Sequence, residues 1–228
     1  MNVVRQFFDK LGPDMIRYTV DHLYLTFLAI VIAVAIAVPL GIYLARTRWV
    51  RLPPLVLGIA GVMQTVPSLA LIAFIVLFFA IAGLSTIGFL PGLLALVLYA
   101  LLPIMRNTYT GIRQVDPSVK EVAAGMGMQP RQVLVKVELP LALPVIMAGI
   151  RISTVWTIGI ATLCGLIGAG GLGELIFRGL RSLPRTADYL VAGTIPAALL
   201  ALAADALLGA LERWLTPPGL RGEVSRAE

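Results

Sequence analysis

Long runs without a charged residue, separated by short polar segments, organise this chain. Leu23 to Leu44 is a run of 22 residues free of Asp, Glu, Lys and Arg. At ~1.5 Å per residue, a helix of that length crosses the ~30 Å hydrocarbon core of a bilayer. Pro39 and Gly41 near its end are tolerated in membrane helices. Between Arg51 and Arg106 no charge occurs at all. That stretch is too long for one span and is punctuated by Pro53-Pro54, Pro67-Ser68, Gly83 to Thr86 and Pro91-Gly92, so it divides into spans over residues 55–81 and 90–105. A fourth span runs from Pro140 to Leu163 with Arg151 inside it, and a fifth from Tyr189 to Leu211 with Asp205 inside it. The pattern predicts an all-α membrane protein of about five transmembrane helices.

The polar segments complete the division. Residues 1–21 carry Arg5, Asp9, Lys10, Asp14, Arg17 and Asp21 around Gly12-Pro13, too many charges for a signal-peptide core. They read as an N-terminal interfacial helix or loose arm ahead of a membrane domain over 22–212, with a tail over 213–228. The longest polar connection covers residues 107–139. Within it Asp116-Pro117 is a helix start, an N-cap followed by proline at the first helical position. Val119, Val122, Ala123 and Met126 then fall at i, i+3, i+4 and i+7 and form one apolar face. Gly125 and Gly127 end this helix, Pro130 starts another, and Leu139-Pro140 returns the chain to the membrane. Two readings fit, a hairpin lying on the headgroups or a knob whose apolar face enters a groove on a partner.

Composition narrows the choices. Only 13% of residues are charged against 59% hydrophobic, half the charge a water-soluble domain carries; the mean hydropathy is +0.93. A net charge of +6 would suit nucleic acid if clustered, but the basic residues are scattered between apolar blocks, and no nucleic-acid partner is expected. Their distribution orients the chain instead. With the N-terminus outside, the inner segments hold eleven basic residues: Arg46, Arg48, Arg51, Arg106, Arg113, Lys120, Arg131, Lys136, Arg213, Arg221 and Arg226. The outer ones hold six: Arg5, Lys10, Arg17, Arg178, Arg181 and Arg185. The positive-inside bias predicts N-out and C-in. A single cysteine, Cys164, and a single histidine, His22, allow no disulfide framework and no ordinary zinc site. Cys164 reads as a small buried hydrophobe and His22, at the mouth of the first span, as an interfacial residue.

Spacing within the polar connection is more specific. Glu121-Val122-Ala123, then Gly127, then Val137-Glu138-Leu139-Pro140 resembles the EAA signature of ABC importer permeases, with Val122 in place of the first Ala and Val137 in place of Ile. Met63 to Leu69, Gly125 to Met128, Lys136 to Arg151 and Gly168 to Gly173 look like the osmoprotectant branch, which carries glycine betaine, carnitine, choline and similar compounds. The resemblance spans roughly residues 20–212. It implies the type I importer permease fold, with residues 107–139 as a cytoplasmic coupling-helix loop docking on an ATP-binding subunit. It also implies a second permease subunit, identical or homologous, an extracytoplasmic substrate-binding protein, and a bacterial or archaeal cell membrane as the location. ATP and Mg would be held by the partner ATPase and no cofactor by this chain. An amino acid or another small polar solute is the alternative cargo.

No chemistry in the chain competes with that reading. Gly168-Ala-Gly170-Gly-Leu-Gly173 satisfies the dinucleotide pattern, but a long apolar helix precedes it where a short strand is required. Close helix packing or an unwound turn accounts better for these glycines. No lysine follows a glycine anywhere, so a phosphate-binding P-loop is missing. An ion-coupled secondary transporter would be expected to show an internal repeat and several intramembrane carboxylates, and only Asp205 qualifies. Gln64, Thr65 and Ser68 flank Pro67 in the second span, and either line a translocation pathway or hydrogen-bond between helices. Trp156 is an aromatic candidate for the same pathway, ordinary packing being its alternative. Arg151 and Asp205 fall at similar depths in their spans, and pairing would relieve the cost of two lone charges there. Independent snorkelling and exposure to water are the alternative.

Overall fold

The computed structural model describes residues 3–182 and 186–216, and among these every regular element is helical. Four helices are long and apolar enough to cross a membrane, or five if one bent pair counts as a span.

Helix α1 runs from Val3 to Arg46 with no break near residue 22. The expected arm is therefore the first part of the first helix. Its turns are held by packing: Leu11 is buried with Leu172, Leu175, Ala192 and Ala197, and Phe7, Met15 and Tyr18 lie against the same cluster. The second expected span is two helices, α2 (Leu52–Thr65) and α3 (Ser68–Ile81), which meet at 102°. Pro67 supplies the reason. It has no N–H to continue the ladder and drives Val66 to an extended conformation, φ −69° and ψ 125°.

Helix α4 (Phe89–Gln114) continues nine residues beyond the expected end at 105. One side of its polar turns is packed inward: Thr108 is fully buried and donates its hydroxyl to the Ile104 carbonyl at 2.8 Å. Two short helices follow, α5 (Pro117–Gly125) and α6 (Pro130–Val133), then a π-helical turn over Leu134–Glu138 that opens into α7 (Leu139–Ala161). Pro140 cannot donate a helical bond, and the wide turn ahead of it lets the Leu139 N–H reach back to the Leu134 carbonyl. After a 3-10 turn at Leu163–Ile167 come α8 (Gly173–Arg181) and α9 (Thr186–Leu215). Helix α8 lies in a segment expected to be loop. Arg185 and most of the expected tail, with Arg221 and Arg226, lie outside the described residues.

The centre of the fold is the packing of α1, α4 and α7. On α1 a buried row runs through Leu25, Ala29, Ala33, Ala37 and Ala45, with Gly41 completing the series at four-residue spacing. Small residues in such a row let two backbones approach closely. At Gly41 a β-carbon would stand 2.7 Å from Thr108 Cβ, and at Gly149 of α7 one would stand 2.6 Å from Asn107 Cβ. Ser153 of α7 donates to the Ala100 carbonyl of α4 at 3.2 Å across the same seam.

Candidate functional site

Two places in this fold bring the expected site residues together, a knob between α4 and α7 and a groove between α7 and α9.

The knob begins where Asp116 caps α5, its carboxylate accepting the Ser118 N–H at 2.8 Å. That bond holds the Asp116 carboxyl below the ordinary carboxylate range. The helix ends at a Schellman turn, in which the Met128 N–H reaches the Ala123 carbonyl at 3.2 Å and the Gly127 N–H the Ala124 carbonyl at 2.9 Å. Gly127 adopts φ +83° to close it. Ala123 is turned inward at 2% exposure, while Val119, Val122 and Met126 stand 41%, 62% and 67% exposed as an apolar ridge. Glu121 is exposed on the same helix. The later motif residues serve as the base of the knob. Val137 lies in the π-turn, Leu139 packs against the cluster of Ala45, Ile112, Ala142 and Ile146, and Pro140 opens α7.

A pair absent from the sequence reading ties this base to α1. Glu138, 5% exposed, faces Arg46 at 3.5 Å, and the same guanidinium donates to the Pro130 carbonyl at 3.0 Å. One side chain at the end of the first span thus grips both the start of α6 and the π-turn.

In the groove the structure brings Arg151 and Asp205 into a two-pronged contact. Arg151 Nε donates to Asp205 Oδ1 at 3.1 Å and Nη2 to Asp205 Oδ2 at 3.2 Å. A third member is Glu212, whose Oε2 accepts from Arg151 Nη1 at 3.1 Å. Glu212 lies seven residues after Asp205, on the same face of α9; that spacing was its only signal in the sequence. Trp156, 55% exposed, lines the same groove with Arg151 and Asp205, so its ring is not packed away. The groove has a volume of about 510 Å³ and is otherwise apolar, with Ile152, Val155 and Leu202 among its walls.

Gln64, Thr65, Pro67 and Ser68 lie elsewhere, at the break between α2 and α3. The Gln64 amide donates to the Tyr99 carbonyl of α4 at 3.3 Å, and the Tyr99 hydroxyl donates back to the Val66 carbonyl. Tyr99 is four residues before Pro103, which cannot supply its carbonyl with a helical donor. Gln64 fills that need. Thr65 donates to the Val62 carbonyl within its own helix at 2.7 Å. Of the two readings, this geometry gives Gln64 the bond between helices.

His22 is not interfacial. It is fully buried, accepting the Leu172 N–H at Nδ1 (3.3 Å) and donating from Nε2 to the Ile158 carbonyl at 3.1 Å. It thereby satisfies a backbone donor at the start of α8 that has no helical partner. The glycine-rich segment is the turn it holds. Gly168, Gly170 and Gly171 all have positive φ, and a β-carbon on Gly173 would stand 1.8 Å from the Thr162 carbonyl oxygen. Cys164 is a buried free thiol. Near the start of α1, Arg178 of α8 donates to Asp14 at 3.0 Å and to the Tyr18 hydroxyl at 2.8 Å.

Known proteins share both fold and sequence with this chain. Residues 37–217 match the family described as binding-protein-dependent transport system inner membrane component. The carnitine transport permease protein OpuCB of Listeria monocytogenes is 45% identical over 221 residues, 97% of each chain. The choline transport system permease protein OpuBB of Bacillus subtilis (strain 168) is 42% identical over 221 residues, again 97% of each. The glycine betaine/carnitine/choline transport system permease protein OpuCB of the same strain is 42% identical over 227 residues, 99% of this chain and 100% of the relative. Among solved structures, a chain of the MetNI methionine ABC transporter in an inward-facing conformation superposes with a TM-score of 0.79 at 22% identity, covering 95% of this chain and 100% of that one.

Proposed function

Since the chain belongs to the family of binding-protein-dependent transport system inner membrane components, we propose that it is the membrane-spanning permease of an ABC importer for a quaternary-ammonium osmoprotectant such as glycine betaine, choline or carnitine. The observation that carries this reading is end-to-end similarity, at 42–45% identity, to permeases for carnitine and choline. The apolar ridge of α5 supports the assignment of its partner. Val119, Val122 and Met126 stand out from a short helix with no cover among the described residues, the form of an anchor row that enters a groove. The groove belongs to a cytoplasmic ATP-binding subunit, which holds ATP and Mg. The termini then lie with the N-terminus outside and the C-terminus in the cytoplasm, a substrate-binding protein delivers solute from outside, and a second permease subunit completes the path. ATP binding moves α5, and Arg46 with Glu138 and Pro130 passes that motion to the end of α1.

The test is uptake by proteoliposomes holding this chain, its ATPase and its binding protein. Labelled choline, carnitine and glycine betaine should enter with ATP inside, and methionine or histidine should not. Import should cease with a hydrolysis-dead ATPase and persist after ionophores collapse the ion gradients. Uptake that follows the gradient and ignores ATP would refute the importer, and uptake of amino acids alone would refute the substrate class.

A further inference from the structure

The groove between α7 and α9 holds two features that its packing leaves unexplained, an exposed indole and an uncompensated charge. Arg151 is about 18 Å along α7 from Leu139, Trp156 about 26 Å, and Asp205 about 15 Å from the end of α9 at Leu215. At such depths a carboxylate facing lipid costs several kcal/mol, yet the Asp205 side chain is 45% exposed. The groove therefore opens toward water or protein. Behind its wall the Arg151 guanidinium also meets Glu212, whose side chain is only 9% exposed, so one guanidinium sits between two carboxylates with 3.1 Å contacts to each and the charges do not cancel. The cluster is one positive charge short.

We infer that this groove holds the quaternary ammonium group of the solute in transit, with the Trp156 ring and the Asp205 carboxylate as its contacts; this rests on the substrate class proposed above. An aromatic face beside a negative centre is the chemistry that recognises such a cation. The state of Asp205 suits a cation with no N–H in particular. Both its oxygens already accept from Arg151, so few acceptor positions remain for a donor, while the net charge of the cluster stays negative. A trimethylammonium group asks for potential and π surface only. The apolar walls of Ile152, Val155 and Leu202 suit its methyl groups, and about 510 Å³ is within the range of small-molecule pockets.

Binding of labelled choline to the complete permease–ATPase complex in nanodiscs, without the binding protein, tests this directly. The uncharged isostere 3,3-dimethylbutan-1-ol serves as competitor, and uptake is measured in parallel. Trp156→Leu and Asp205→Asn should each weaken choline binding roughly tenfold, the scale of a desolvated cation–π or charge contact. Trp156→Phe should recover most of the loss, and the isostere should compete poorly with the wild type. Trp156→Leu leaves both members of the ion pair in place, so it keeps the test valid if Asp205→Asn fails to assemble. Wild-type choline affinity in both variants, or competition by the isostere equal to that of choline, overturns the site while the importer reading stands. A wild-type complex that imports no quaternary ammonium solute overturns the substrate class and this site with it.

Discussion

Two glycines at the end of α5 should answer the same substitution in opposite ways. Gly127 follows α5 with φ +83°, whereas Gly125 closes the helix without a positive φ. At neither position would a β-carbon meet a heavy atom within 4 Å. Space is therefore equal, and only the backbone differs. Gly127→Ala places an L side chain in the left-handed region at about 1–2 kcal/mol. Asn, which tolerates that region better, should cost less, and β-branched Val more. Gly125→Ala instead gains about 0.8–1 kcal/mol of helix propensity. The two alanine variants thus differ by about 2–3 kcal/mol, roughly a 30- to 150-fold difference in local opening. The strain would be relieved by breaking the bonds from Met128 and Gly127 to the carbonyls of Ala123 and Ala124. Hydrogen exchange over residues 117–129 reads that opening, and substrate-stimulated ATP hydrolysis by the assembled transporter reads its consequence. Exchange should quicken in the order Gly125→Ala, wild type, Gly127→Asn, Gly127→Ala, Gly127→Val, with coupling lost in the same order. If Gly127→Asn were as damaging as Gly127→Val, or Gly125→Ala as damaging as Gly127→Ala, the backbone argument would be refuted.

Two further outcomes follow from contacts inside the spans. Arg151→Ala leaves Asp205 and Glu212 uncompensated and should lower thermal stability in detergent more than Asp205→Ala, which leaves Arg151 on Glu212. The double variant should lose less than the sum of the two by about 0.5–3 kcal/mol, and strictly additive losses would count against the pairing. Gly173→Ala should fail to give folded protein, because its β-carbon would stand 1.8 Å from the Thr162 carbonyl oxygen, whereas Gly159→Ala has nothing within 4 Å and should be tolerated; equal yields of monodisperse protein from the two would contradict the close packing of that turn.

What was legible in the sequence is what depends on one segment at a time. Charge-free runs locate the long helices because lipid imposes one requirement on every span. Asp116-Pro117 and Gly127 mark the ends of α5 because caps and positive-φ turns are local. Two features are set by neighbours rather than by the local signal. The charges of residues 1–21 leave an interfacial helix or a loose arm open; Leu11 finds partners on α8 and α9, more than 160 residues away, and the segment is helical and continuous with the first span. Residues 55–81 read as one span with Pro67 inside it, and the 102° turn between α2 and α3 is tied to α4 through Gln64, Val66 and Tyr99.

The same distinction governs the site residues. A membrane helix has no use for a polar side chain unless something opposite needs it, so each one advertises half of a partnership. Gln64 is the donor that Pro103 withholds from the Tyr99 carbonyl, thirty-five residues away. His22 is the acceptor for the orphan Leu172 N–H at the start of α8. Arg151 and Asp205 were paired by matching depths, a one-dimensional argument that works because helix rise is constant. Glu212 escaped it because a carboxylate near the end of a span looks like the boundary itself. Only the facing of α7 and α9 shows that it reaches Arg151. Trp156 gained its meaning in the same way. Alone it was an aromatic residue in a span; beside a cluster with one carboxylate in excess, and open to a groove, it becomes one wall of the proposed cation site.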